Sequence, residues 1–468
     1  MKNIFLSISL FFASLMSVSA QSGSAKFTNE FAFDFYHQIS QKHENLFFSP
    51  YSISLAMAMT YEGAEDKTSQ IISEIMHFPK DKSEMRTALN SDRKVLCNSS
   101  DKEKYLFKIA NAIWAAKDLN LQNEYINIIK KYHNAPIFKY TFGRKFKFED
   151  LANEINTWTE KNTEQKIKDL IKKNDIDIST VMVIVNAVYF KAEWLSKFKK
   201  KDTKKDIFYG TKEKVKVDFM SGYKKVKFYK DNMLTAIGMP YHARKSSMYI
   251  LLPHSIQEFK KIQKSINNNY FDKIIKSSKY SRIKVIIPKF KTESKLYLKN
   301  DFVEAGMKLA FTPNANFSGM SKKRNIYIDK IIHQSFIEVD ESGTEAAAAT
   351  AVVMKRETAI PPVQNMEFKA DHPFIYLIAD NQTGNVLFIG QITNINTNFR
   401  ESCKNAKSKE CDKNKKCNKK QKCNKKEKCC KKEKCDKNKK CEKTKKCNKK
   451  QKCNKKKKCC KKKKCNKN

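Results

Sequence analysis

The sequence predicts a mixed α+β domain, because helical patterns dominate its first part and strand-like segments follow. Phe27, Phe31, Phe35 and Ile39 recur every four residues, which is the apolar stripe of one helix face. Short segments rich in β-branched and aromatic residues predict strands. These segments are 180–190, 248–252, 282–288, 336–339 and 386–389. Helices followed by several strands, without regular alternation, are typical of α+β domains.

Two further helices are predicted, one that begins near residue 50 and one at residues 155–171. Ser49 can cap a helix and Pro50 suits its first turn, so a nearly buried helix should run to about Tyr61. Residues 155–171 have an amphipathic pattern and predict another helix.

Composition divides the chain near residue 400 into two very different regions. Residues 401–468 contain 33 Lys against 7 Asp and Glu, so they carry +26 of the total net charge of +45. The remaining +19 lies in residues 1–400. We therefore expect a folded domain at 21–400 and a low-complexity tail at 401–468.

The amino terminus has the pattern of a secretory signal peptide. Lys2 precedes an apolar run at 4–16, and Val18-Ser19-Ala20 suits signal peptidase. A transmembrane anchor is the weaker alternative, because this run is shorter than the roughly 20 residues needed to span a bilayer. We expect residues 1–20 to be removed and the mature protein to be soluble, secreted and extracellular.

Cysteines and sequons fit an exported protein. Cys97 is the only one of the 14 cysteines before residue 400, so the domain must fold without an internal disulfide. Three sequons make Asn98, Asn316 and Asn381 glycosylation candidates. No HExxH, GxSxG or phosphate-cradling glycine loop is present, so we expect no enzyme, no cofactor and no metal site.

Seven segments in order resemble the serpin family, over a region from about Phe27 to Asn396. They are 45–68 (NLFFSPYSISLAMAMTYEGAEDKT), 155–171 (INTWTEKNTEQKIKDLI), 183–198 (VIVNAVYFKAEWLSKF), 288–290, 315–321 (ANFSGMS), 331–350 (IIHQSFIEVDESGTEAAAAT) and 368–390 (FKADHPFIYLIADNQTGNVLFIG). The resemblance implies three β-sheets, about nine helices and a long mobile reactive loop. A protease cuts this loop, which then inserts as a new strand in the largest sheet.

The reactive loop implied by the resemblance is suited to insertion. Its hinge comprises Glu341, Gly343, Thr344, Glu345, Ala346, Ala347, Ala348, Ala349 and Thr350. Alternate positions from Thr344 onward are small or apolar, while the other set contains charged residues, so one face of a new strand can enter a core. An alanine run could equally form a helix or a linker, and its position between the flanking matches favours the loop.

The bond offered to the protease is less well defined by the sequence. In inhibitory relatives the residue before the cut usually lies sixteen after the hinge glutamate, which selects Glu357 and the bond to Thr358. Loops one residue shorter select Arg356, and trypsin-like proteases prefer a basic residue there. We keep both bonds and favour Arg356 on chemical grounds.

The resemblance also assigns a polar cluster beneath the opening sheet. Ser49, Ser52, Asn186 and His333 match the family residues whose hydrogen bonds hold the sheet closed. Separate, individually satisfied core residues are the alternative. A catalytic or metal-binding role for His333 is disfavoured.

The tail has a regular cysteine repeat but no apolar residues for a core. Cysteines recur every six residues from Cys411 to Cys465, separated mainly by Lys and Asn. Thirteen tail cysteines cannot all pair internally, which leaves one to pair with Cys97, to remain a free thiol or to join another molecule in a disulfide-linked multimer. Metal binding is disfavoured, because cysteine-only sites usually contain CxxC pairs. The positive charge predicts binding to heparin-like polyanions or anionic surfaces, without sequence-specific recognition of nucleic acid.

Three functions therefore remain open. The leading hypothesis is a secreted inhibitor that forms a covalent complex with a trypsin-like serine protease. The second is a non-inhibitory carrier, storage or chaperone protein of the same family. The third is a polyanion-binding protein that acts through its basic tail. The small hinge residues favour the first, because non-inhibitory members tend to carry bulky or charged groups there.

Overall fold

The computed structural model describes residues 23–98, 101–141, 146–322, 326–344 and 366–395. The chain divides into two units, 1–395 and 396–468, and all the described residues belong to the first. Several predicted features lie outside the described residues. These are the signal peptide 1–20, hinge residues 345–350, the bond candidates Arg356, Glu357 and Thr358, and the tail 401–468.

The described residues form nine α-helices with several short 3-10 and π turns. The α-helices are α1 (Ala25–Ser40), α2 (Pro50–Glu62), α3 (Asp66–Met76), α4 (Lys82–Cys97), α5 (Asn123–Ile128), α6 (Phe148–Asn162), α7 (Ile256–Ser265), α8 (Asn268–Ser277) and α9 (Lys299–Phe302). Both helices predicted in the first 62 residues are present. Helix α2 begins where expected, because Ser49 Oγ accepts a hydrogen bond from Ser52 N–H and Pro50 occupies the first turn.

Fifteen strands complete the described residues. They are β1 (Leu46–Phe48), β2 (Tyr105–Ala116), β3 (Ile137–Tyr140), β4 (Met182–Glu193), β5 (Lys204–Tyr209), β6 (Lys214–Lys230), β7 (Leu234–Pro240), β8 (Ser246–Pro253), β9 (Lys279–Pro288), β10 (Phe290–Tyr297), β11 (Ile332–Val339), β12 (Gly343–Thr344), β13 (Glu367–Lys369), β14 (Phe374–Asp380) and β15 (Val386–Ile392). Each of the five predicted strand segments lies largely or wholly within one of them.

The strands form two hydrogen-bonded networks. One has six strands in the order β10-β11-β12-β4-β2-β3. The other has nine strands in the order β1-β15-β14-β8-β7-β6-β9-β13, with β5 paired to β6. The long strand β6 pairs with β7 near its end and with β9 and β5 elsewhere, so it joins two parts of the larger network. Two of the three expected sheets are thus continuous through β6.

The helix predicted at 155–171 is wrong in its second half. Helix α6 ends at Asn162, and Glu164, Gln165 and Asp169 have positive φ angles that a helix does not allow. Two hydrogen bonds with Asn156 instead fix the backbone at Ile171. The Asn156 side-chain oxygen accepts a hydrogen bond from Ile171 N–H, and its side-chain nitrogen donates one to the Ile171 carbonyl. The amphipathic pattern thus correctly predicted which residues of 163–171 are buried, but the backbone of these residues is not helical.

The core lies between the two networks, with the start of α2 in contact with both. Ser49 Oγ donates 2.6 Å to the Leu387 carbonyl of β15, and Ser52 Oγ donates to Asn186 of β4. Stacked rings of Phe47 and Phe388, 5.0 Å apart, extend this packing. No helix in the described ranges is long and apolar enough to cross a membrane.

Candidate functional site

The first hinge residues lie inside the six-stranded sheet. Thr344 in β12 pairs antiparallel with Ala192 of β4 and with Val339 of β11. Because β12 is antiparallel to both neighbours, β4 and β11 are parallel to each other. The chain therefore enters the sheet between these two strands immediately after the turn at residues 340–342.

Gly343 is required by the closeness of its neighbours. A Cβ atom at this position would lie 2.7 Å from the Glu193 Cα atom and closer still to the Ala192 carbonyl. Any larger residue would push β12 away from β4. Close approach of the backbone of β4 is therefore the reason that glycine stands at this hinge position.

Thr344 is buried at the end of an aromatic stack. Its side chain shares a 2.6 Å hydrogen bond with the Tyr241 hydroxyl, and only 2% of the residue is exposed. The Tyr241 ring stacks on Trp194 with centroids 4.5 Å apart. Trp194 in turn donates from its indole to the Asp340 carbonyl at 2.9 Å. Thr344 is therefore buried in this structure, on the side of β12 that contacts Tyr241.

Glu341 anchors the turn that precedes β12. Its carboxylate accepts hydrogen bonds from Lys289 Nζ at 2.9 Å and from the Thr203 hydroxyl at 2.8 Å. Burial alone would raise the pKa of Glu341, but the Lys289 and Thr203 hydrogen bonds lower it below its ordinary value. The sequence singled out Glu341 but not the two partners, which lie 138 and 52 residues away in the chain.

The four predicted cluster residues are brought together beneath this sheet. Ser49 N–H donates to His333 Nε2 at 3.0 Å, and Ser52 N–H donates to Ser49 Oγ at 3.2 Å. Ser52 Oγ then donates to the side-chain oxygen of Asn186. The cluster thus connects β11 to β4 through the start of α2, on both sides of the path that β12 enters.

The network continues beyond the predicted four residues. Asn186 donates to Asn111 at 2.6 Å, and Asn111 donates to the His133 carbonyl at 3.3 Å. His133 and Arg86 both bind the fully buried carboxylate of Glu62. Burial alone would raise the pKa of Glu62, but these hydrogen bonds lower it. No short motif contains Asn111, His133 and Glu62, so sequence reasoning missed them.

His333 must be neutral to make its contact. Its Nε2 atom accepts the Ser49 N–H, which a protonated imidazole cannot do. Burial lowers the pKa of His333 to about 4, from an ordinary 6.5. A histidine whose pKa is lowered by folding contributes its full stability above pH 6.5, and that contribution is lost as the pH falls towards 4.

His333→Gln should therefore flatten the pH dependence of stability between pH 6.5 and 4. The amide oxygen of glutamine can still accept the Ser49 N–H but does not become protonated. The wild type should lose up to about 3 kcal/mol of unfolding free energy over this range, because each pKa unit corresponds to ~1.4 kcal/mol. Urea unfolding at pH 7.5, 6, 5 and 4.5 measures this. The matched control is His254→Gln, a change at an exposed histidine. If the unfolding free energy of the wild type and of both variants changed equally with pH, His333 would not be the group responsible.

An apolar cavity of about 160 Å³ lies along the same path. Its walls include Val183 and Val185 of β4, Ile332 of β11, and Ile53 and Met57 of α2. Asn186 and His333 border it as well. A strand that continued from Thr344 in the direction of β12 would run beside this cavity.

The three glycosylation candidates differ in their surroundings. Asn98 is exposed at the end of α4, and its carbonyl accepts a hydrogen bond from Lys245. The side-chain nitrogen of Asn316 donates to Asp66 at 2.7 Å, and that of Asn381 donates to the Arg244 carbonyl at 2.8 Å. Asn98 and Asn381 are exposed, whereas Asn316 is half-buried. Within the described ranges, no three His, Cys, Asp or Glu residues are grouped to hold a metal ion.

Comparison with known proteins decides the family. A family model described as serpin (serine protease inhibitor) matches residues 26–395. The chain belongs to the serpin family. An uncharacterized serpin-like protein of Methanosarcina mazei is 39% identical over 378 residues, covering 79% of this chain and 86% of that protein. Leukocyte elastase inhibitor A of Rattus norvegicus is 35% identical over 377 residues, covering 77% and 97% respectively.

A solved structure gives the same result. Serpin48, described as a highly specific serpin of the insect Tenebrio molitor, has 27% sequence identity and a TM-score of 0.69. The match covers 80% of this chain and 98% of that chain. The predicted α+β serpin fold is thereby confirmed. Serpins generally inhibit proteases and are not proteases themselves.

Proposed function

We propose that this serpin is a secreted inhibitor of trypsin-like serine proteases that acts by insertion of its reactive loop. The observation that carries the proposal is the position of β12. Its two residues lie between β4 and β11 and are antiparallel to both strands. The hinge therefore has a path into the sheet that the neighbouring strands define.

The register of β12 predicts where each later residue would lie. If the strand continues, Thr350 falls opposite Asn186 of β4 and opposite His333 of β11, six positions beyond the observed pairs at Thr344. Residues 346, 348 and 350 share the parity of buried Thr344, and all are Ala or Thr. The loop would thus fill the core side with small side chains and reach the polar cluster at Thr350.

This insertion can supply the free energy for inhibition. Each backbone hydrogen bond is worth roughly 0.5–1.5 kcal/mol net, so about ten new ones contribute on the order of 10 kcal/mol. That amount rivals the stability of an entire domain. A protease that has formed an acyl-enzyme with the loop would be carried away from its working geometry before hydrolysis is complete. The serpin needs no catalytic residue for this reaction.

A protease panel tests the proposal directly. Incubation with trypsin-, chymotrypsin- and elastase-like enzymes should give a complex with a trypsin-like enzyme that survives boiling in detergent. Mass spectrometry of the released fragment should place the cut after Arg356 or after Glu357. Cleavage without any complex would favour a non-inhibitory serpin, and a cut outside residues 354–359 in a stable complex would overturn the loop register.

A pair of neighbouring variants tests whether the cut follows Arg356. Arg356→Gln should abolish the complex with a trypsin-like protease, because the acidic specificity pocket loses its basic partner. Lys355→Gln removes the same charge one residue earlier and should leave the complex intact. The reverse result would move the cut to the bond after Lys355.

Export and localisation complete the proposal. Support comes from the signal-like residues 1–20 and from the concentration of 13 cysteines in the tail. The tail is proposed to hold the inhibitor on heparin-like polyanions or anionic surfaces, with disulfide-linked multimers as a further form. Amino-terminal sequencing of protein from the culture medium should begin at Gln21.

A further inference from the structure

A second and larger cavity is lined in part by Trp194. Its volume is about 580 Å³, which is within the range of small-molecule sites. On one side it is bounded by residues 194–196, which directly follow β4. On the other side it is bounded by the strands β6 and β9. Met239 and Pro240 of β7 and Arg244 complete the wall.

The cavity combines cations with apolar and aromatic surface. Four of its lining residues are Lys or Arg, and no Asp or Glu is among them. Lys225 and Arg244 are exposed, and neither forms an ion pair within the described residues. Tyr223 and Tyr280 are exposed by 51% and 53%, far more than tyrosine side chains in a packed core.

The strand register brings these groups onto one face. Tyr223, Lys225 and Lys227 alternate along β6, and Lys225 lies directly opposite Arg282 of β9. Tyr280 lies opposite Lys227, and the Lys225 ammonium is 5.8 Å from the centre of the Tyr280 ring. Four residues that line the cavity thus share one face of β6 and β9, namely Tyr223, Lys225, Tyr280 and Arg282.

A buried lysine fixes one wall. Lys224 Nζ donates to the carbonyls of Ser196 at 2.8 Å and Lys197 at 2.6 Å. It also lies 4.2 Å from the centre of the Phe198 ring. Burial, with Lys199 nearby, lowers the pKa of Lys224 to about 8. We regard Lys224 as a positioning residue that holds the 196–198 segment and adds positive potential to the site.

We propose that this cavity binds a small organic anion, in which an aromatic or other flat apolar body carries a carboxylate, sulfate or similar group. The cations at its mouth would bind the anionic group, and Tyr223, Tyr280, Leu195 and Met239 would contact the apolar body. An inorganic anion would leave the apolar wall unused. A neutral aromatic molecule would leave Lys225 and Arg244 without an anionic partner.

The same wall holds the start of the reactive loop. Trp194 N–H donates to the Ser342 carbonyl at 2.9 Å, and Phe198 N–H donates to the Glu341 carbonyl at 2.9 Å. A ligand that contacts Trp194 and Ser196 would therefore contact the 194–198 segment, which forms hydrogen bonds with residues 340–342. Binding should shift the conformational equilibrium of the hinge if the ligand binds one conformation of the 194–198 segment more tightly than another. Only the consequence for inhibition rests on the proposed function.

Calorimetric titration of the full chain with naphthalene-2-sulfonate tests the binding site. We expect one saturable site, and at least about tenfold weaker binding of the neutral naphthalene-2-sulfonamide and of inorganic sulfate. The double variant Lys225→Gln, Arg244→Gln should lose this site. The matched double variant Lys214→Gln, Lys216→Gln, on exposed positions of the same strand, should retain it. Both variants keep the basic tail, so binding to the tail would survive in both and overturn the proposal.

Other outcomes are equally informative. Equal binding of the sulfonamide would show an apolar cleft without anion selectivity, and equal binding of sulfate would show an inorganic anion site. Either result overturns the proposal. Tyr280→Ala, a change at an exposed side chain, should weaken the sulfonate but not sulfate. Unchanged thermal unfolding of each variant shows that folding is intact.

Coupling to the hinge is measured separately, by hydrogen exchange of peptides that cover residues 340–344. Saturating sulfonate should change their exchange rate in the wild type and not in Lys225→Gln, Arg244→Gln. If the protein inhibits a protease, the inhibition rate should change with the same dependence on ligand. Binding without altered exchange would refute the coupling. Binding and exchange without any inhibition would refute only the proposed function.

Discussion

Thr344→Arg is expected to convert this serpin from an inhibitor into a substrate. The residue is 2% exposed, pairs with Ala192 and Val339, and bonds to the Tyr241 hydroxyl. A guanidinium there would be buried against Trp194 and Tyr241 without a carboxylate partner. An uncompensated buried charge costs about 3–5 kcal/mol, so the ratio of trapping to release should fall by roughly two to four powers of ten.

The measurement is the fraction of protease held in detergent-stable complex, against the fraction of serpin that is only cleaved. Cleavage itself should continue, because the scissile bond is not altered. Thr344→Ser keeps the hydroxyl and should inhibit normally. Glu338→Arg places the same cation at an exposed position of β11 and should also inhibit normally. Normal trapping by Thr344→Arg would show that inhibition does not require residue 344 to stay buried between β4 and β11.

Local sequence patterns predicted the elements whose structure is decided locally. Helix α2 follows from Ser49 as a cap and Pro50 in the first turn, and strand β4 follows from its run of β-branched and aromatic residues. The family resemblance supplied what these patterns could not. It brought Ser49, Asn186 and His333 together, although they are up to 284 residues apart.

Other features depend on contacts that no local pattern contains. Residues 163–171 keep the apolar spacing of a helix, but Asn156 binds the backbone of Ile171 and positive φ angles end the helix. Asp66 has a φ of 47°, in the left-handed region that favours glycine. Its carboxylate accepts from Asn316, which helps to hold the strained turn.

At the hinge, too, the local sequence pattern predicted one feature, whereas the others depend on residues that are distant in the sequence. Alternation along the hinge predicted that Thr344 faces the core. Its partner Tyr241 lies 103 residues away and its register against Ala192 depends on sheet pairing. The buried group of Glu62, His133 and Arg86 was missed for the same reason, because each residue lies on a different element. Only the folded structure shows that they extend the network from His333.

Removal of residues 401–468 is expected to weaken polyanion binding strongly while leaving inhibition in free solution nearly unchanged. The deletion removes 33 lysines and a net charge of +26. If only 6–10 of them contact the polyanion, affinity changes by about 10³–10⁵ between roughly 50 and 200 mM salt. Elution from immobilised heparin should therefore move to lower salt by on the order of 0.1 M or more. The loop path between β4 and β11 lies wholly within residues 1–395, so the rate of inhibition should not depend on the tail.

The comparison must separate charge from multivalency, since disulfide-linked multimers raise apparent affinity without any new contact. Both proteins are therefore measured with thiols oxidised and with thiols blocked. A full-length variant with the tail cysteines replaced by serine keeps all 33 lysines and should elute near the blocked wild type. The body retains its own +19, so weak residual binding of the truncated protein is expected at low salt. Elution of the truncated and full-length proteins at the same salt would show that the tail is not a polyanion anchor, and would favour a role in cross-linking.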